Sequence, residues 1–84
     1  MTDNELTPTD HYVRDLLHML LERTRQAKVD RAALGAGNQD PFEAGRHTAY
    51  YEMVSAALGN LRSFGLSRTR FDVAEDFSPD RDLL

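Results

Sequence analysis

Cysteine is absent from this 84-residue chain, and so is tryptophan. Without cysteine there is no disulfide staple and no thiolate zinc site. A domain of this length buries only about 60 to 65 per cent of the surface its unfolded form exposes. Small natural proteins meet that shortfall with disulfides, a metal or partner chains, so oligomerisation is the device left to expect. No surplus of positive charge is present either. The formal net charge is −4, which argues against a nucleic-acid binder, for which a concentrated basic face is needed. No apolar run approaches the roughly 20 residues that span a bilayer, and residues 1–10 have neither the basic nor the apolar part of a signal peptide. A cytoplasmic protein that contacts no membrane is the expectation.

Proline and glycine are few, and their positions divide the chain. Residues 1–6 are polar and acidic and are expected to be unstructured. Thr7-Pro8-Thr9-Asp10 reads as a helix start: Thr7 caps, Pro8 suits the first helical position and Asp10 reaches back to close a capping box. No proline or glycine follows until Gly35, and Arg25, Lys28 and Arg31 suit the negative end of the helix dipole. A first helix over about 8–34 is predicted, stopped by Gly35 with Gly37. Asp40-Pro41-Phe42-Glu43 repeats the start signal, predicting a second helix over about 41–64 that ends at Gly65. The loop of about five residues between them makes the helices antiparallel neighbours. Residues 67–84 form an acidic and aromatic tail. In it Thr69 to Val73 alternates enough for a short extended segment, and Ser78-Pro79-Asp80-Arg81-Asp82 caps one last helical turn.

The apolar faces ask for more than two helices supply. At 100° per residue, Tyr12, Val13, Leu16, Leu17, Met19, Leu20, Leu21 and Ala27 cover roughly 200° of the first helix. Phe42, Ala49, Tyr50, Tyr51, Met53, Val54, Ala56, Ala57, Leu58, Leu61 and Phe64 cover a similar arc of the second. The predicted class is therefore all-α: an antiparallel two-helix hairpin with a short C-terminal tail, dimerising into a four-helix bundle. The rival is a monomer whose tail covers the surplus. Gly45, Ala49, Ala56, Gly59 and Ser63 lie near one edge of the second helix, where either another helix comes close or the glycines sit on a solvated face.

Few residues point to chemistry. His11, Asp15, His18 and Glu22 line one polar stripe of the first helix, with the donors for a zinc-like ion; the plain alternative is a solvated face. Arg46 and His47 fall on the apolar arc of the second helix, where a charge needs a partner. Arg46 is expected to pair with a carboxylate of the first helix or of a second chain, the alternative being an anion or ligand site of Arg46, His47, Tyr50 and Tyr51. In the tail, Phe71, Phe77, Leu83 and Leu84 are either anchors for a protein partner or closers of the chain's own core. No nucleophile motif and no phosphate-cradling loop occurs, and Arg46 and Arg62 are all that the second helix offers a phosphate backbone. The sequence thus predicts an interaction protein without catalytic activity, cofactor or nucleic acid. Its class-different alternative is a small-molecule, anion or metal site at the dimer interface or on the polar stripe.

Overall fold

The structure, a computed structural model, describes residues 6–34 and 40–84. The expected loop at Gly35 to Gln39, with its glycine stop, and the expected unstructured start at residues 1–5 lie outside the described residues. Helix α1 runs over Pro8–Ala32 and α2 over Pro41–Ser63, and a 3₁₀ turn over Arg68–Phe71 precedes a last short helix, α3, over Pro79–Leu83. Among the described residues there is no strand, and no helix is long and apolar enough to cross a membrane.

Local signals set the helix ends. Thr7 Oγ1 accepts from the Asp10 amide at 3.1 Å while the Thr7 amide donates to Asp10 Oδ2 at 2.9 Å, so both halves of the capping box form. Asp40 caps α2 by accepting from the Phe42 amide at 2.9 Å. Glu43 does not reach back to that cap. It binds the Arg46 guanidinium at 3.1 Å, a charge-assisted contact one turn further on. At the other end Gly65 has φ +71, the Leu66 amide donates to Leu61 O at 2.8 Å and the Gly65 amide to Arg62 O at 3.0 Å. This is the Schellman closure, for which glycine supplies the left-handed residue.

The core is built from Leu17 and Leu21 of α1, Val54, Leu58 and Leu61 of α2, and Phe71, Val73 and Leu83 of the tail. Phe71 and Leu83 are among the largest side chains that are fully buried, and each contributes about 1.5 to 3 kcal/mol by burial. The tail is thus a third layer of the fold. Its first part is not the extended segment that the alternation of Thr69 to Val73 suggests. Phe71 and Val73 do point inward with Asp72 outward, but a 3₁₀ turn closed by Asp72 at φ 60 achieves this, with the Val73 amide returning to Arg68 O at 3.1 Å. The last turn forms as expected, with Ser78 Oγ accepting from the Arg81 amide.

Candidate interaction face

Long-range contacts hold the tail against one side of the hairpin. Arg70 meets Asp10 at 2.7 Å, and His18 Nε2 donates to Phe71 O at 3.0 Å, both on α1. On α2, His47 Nε2 donates to Leu83 O and the Tyr51 hydroxyl donates to Asp80. The Arg70 guanidinium and the Thr7 amide lower the Asp10 carboxyl to a pKa of about 2. Asp80, and then burial, push the Tyr51 hydroxyl above its ordinary value.

The opposite side of the hairpin is bare. Tyr12, Leu16 and Met19 of α1 and Phe42, Met53 and Phe64 of α2 are between 39 and 80 per cent exposed. On each helix these residues lie on the far side of the buried stripe from the tail's contacts. Both helices are right-handed and run in opposite directions, so equal rotations away from their shared seam lead to the same side. One ion pair spans that side: Arg46 Nη1 donates to Asp30 Oδ2 at 2.9 Å across the helix pair. Gln26, and then Arg46, hold the Asp30 carboxyl below its ordinary value. The result is a shallow face with apolar side chains along both helices, bridged by Asp30 and Arg46 nearer the loop.

Arg46 finds the α1 carboxylate that the sequence asks for, and its guanidinium also lies 5.9 Å from the centroid of the Tyr50 ring. His47, 3 per cent exposed, faces the tail, and its Nδ1 lies 3.4 Å from Arg31 Nη1. Tyr51 also faces the tail. Within one chain, then, Arg46 and Tyr50 lie on the bare side and His47 and Tyr51 on the covered side, and the four do not converge on one ligand.

Along the polar stripe of α1, His11, Asp15 and Glu22 are exposed while His18 is turned onto Phe71 O. Among the described residues no group of three or more histidines and carboxylates is placed to hold a metal ion. Of the tail residues considered as partner anchors, Phe71 and Leu83 are core residues, Phe77 is half-buried and Leu84 is exposed. For Phe71 and Leu83 the core-closing alternative is the one observed. A groove of about 630 Å³ runs between α2 and the tail, lined by Tyr51, Arg62, Arg68, Glu75 and Asp80 among others. Three of these five are already engaged, Tyr51 with Asp80 and Arg68 with Phe77 O at 2.6 Å.

By periodicity Met53 and Phe64 belong to one apolar arc, which does not separate its covered half from its bare half. The steps of four and three that link Phe42, Arg46, Ala49 and Met53 carry the missing signal, since they trace one narrow seam beside the core stripe. No protein-family model, curated protein or solved structure matches the chain.

Proposed function

We propose that this is a small interaction protein, adaptor or regulatory in role and without catalysis of its own, whose working form is a homodimeric four-helix bundle closed through the bare face. The observation that carries the reading is the contrast in cover. Six large apolar side chains stand exposed on one side of the hairpin, whereas on the other the tail covers the core stripe and the large apolar residues left exposed are Val29, Leu66 and Leu84.

Size supports it as well. The 25 residues of α1 are about 37 Å long at ~1.5 Å per residue, and two helices side by side are about 20 Å wide, so the face offers roughly 700 Å². A standard interface takes about 800 Å² from each partner. Monomers rarely leave contiguous apolar patches beyond a few hundred Å² uncovered. A second hairpin supplies a matching surface of the same length, and the closed unit has the two helix layers that a bundle core needs.

Sedimentation equilibrium from micromolar concentration upward tests this. The expected mass is twice the 9.5 kDa of the chain, and Met19→Asp, which puts a charge into the face, is expected to give a monomer with unchanged helicity. A strictly monomeric mass for the unaltered chain at high concentration sinks the proposal.

A further inference from the structure

The exposed seam of α2 reads nearly the same from either end. Four residues from Met53 on each side stand Ala49 and Ala57, seven residues away Arg46 and Asn60, and eleven residues away Phe42 and Phe64. Steps of four and three connect all seven positions, so they share one side of the helix. Apart from half-buried Arg46 and Ala57 they are exposed.

Such a pattern is self-complementary under one symmetry operation. A two-fold axis through Met53 and perpendicular to α2 brings an antiparallel copy into register. Phe42 then meets Phe64 of the partner subunit, Ala49 meets Ala57 of the partner subunit, and the two Met53 side chains meet on the axis. Large residues pair at both ends and small ones next to the centre, which lets the two backbones approach without a bulky clash. The one charged position also fits. Arg46 meets Asn60 of the partner subunit, whose amide oxygen accepts from guanidinium N–H groups not used by Asp30 and Glu43. A two-fold parallel to the helices stacks α2 on α1 of the partner subunit instead, and leaves the two ends of this seam unpaired.

We infer that the second copy docks with α2 antiparallel to α2 and the two-fold axis at Met53. This rests on the homodimer reading above. It adds the orientation, the register and the residue on the axis. It also assigns Phe42 and Phe64, at opposite ends of one helix, to a single repeated contact.

Cysteine scanning tests the register, because the chain has no cysteine and every introduced thiol is the only one. Met53, Phe42 and Phe64 are exposed, so their replacement leaves the protomer core intact. A disulfide needs Cβ atoms about 3.5 to 4.5 Å apart. Met53→Cys is expected to oxidise almost completely to a covalent dimer. Phe42→Cys and Phe64→Cys are each expected to stay uncrosslinked alone and to cross-link when the two proteins are mixed. A dimeric mass without the Met53 and mixed cross-links, or with Phe42→Cys linking to itself, overturns this register and leaves the dimer standing. A monomeric mass for the unaltered chain overturns both.

Discussion

The two sides of the hairpin contain similar residues and meet different fates. On the covered side Leu17, Leu21, Val54, Leu58 and Leu61 are closed over by Phe71, Val73 and Leu83. On the bare side Tyr12, Leu16, Met19, Met53 and Phe64 stand open. Hydrophobicity alone does not separate them, since leucine and aromatics occur on both. What separates them is the acidic tail, which covers one groove and leaves the other open. The lesson is that a broad apolar arc on a small helical protein is better read as two narrower seams, each of which needs its own cover.

Substitutions on the two sides should therefore differ in kind. Phe71→Ala on the covered side is expected to destabilise the protomer by about 3 to 5 kcal/mol, measured by urea unfolding. Phe64→Ala on the bare side should change protomer unfolding little and weaken self-association instead. An equal loss of protomer stability from both would break the distinction.

Next in size is His47→Ala, which leaves the buried carbonyl of Leu83 without its donor and should cost roughly 1 to 3 kcal/mol. Trypsin should then cut faster at Arg68 and Arg70, since the tail's far end loses a tether. Unaltered cleavage there would mean that the tail's hold does not depend on His47.

Gly59→Ala sharpens the comparison from a third direction. An added Cβ at Gly59 or Gly45 meets nothing within 4 Å, and Gly59 borders the groove between α2 and the tail rather than the Met53 seam. Stabilisation by up to about 1 kcal/mol is expected, from helix propensity and a less flexible unfolded chain. Destabilisation in thermal unfolding would mean that a neighbouring chain passes over this edge as well.

The smallest effect is that of acid on the covered side. The Arg70 guanidinium and the Thr7 amide bring Asp10, and the Arg81 guanidinium and the Ser78 amide bring Asp82, from the ordinary 3.8 to about 2. A carboxyl whose pKa is lowered by folding stabilises fully above its unfolded value and loses that contribution as pH falls through its folded one. Tail docking at Asp10, and the cap of α3 at Asp82, should thus hold above about pH 4 and loosen between about pH 4 and 2. Amide exchange at Phe71 and Val73 would report it, and Arg70→Gln should remove most of the pH dependence at the Asp10 end.

Much of the fold was legible because its signals are local. Thr7 with Asp10, Asp40 with Pro41, and Gly65 with Leu66 each act within a few residues, so the helix starts and the second stop could be placed without knowledge of the rest. Arg46 on an apolar arc also announced its need for a carboxylate. The tail was legible only in part. The alternation of Thr69 to Val73 recorded which residues are buried, but an extended strand and a 3₁₀ turn closed by a left-handed Asp72 bury the same two side chains. Nor could spacing on α1 foresee that His18 would leave its polar stripe for Phe71 O, because that partner lies 53 residues away.

By itself, then, the sequence determined two long helices, their caps and an apolar arc on each wider than one neighbour requires, because propensity, capping and periodicity are properties of adjacent residues. Only the tertiary structure decided which half of each arc the tail covers. That choice depends on contacts such as Asp10 with Arg70 and His47 with Leu83, 60 and 36 residues apart. Separations of that length leave no periodic trace, and the face they leave bare is the one on which the proposed assembly depends.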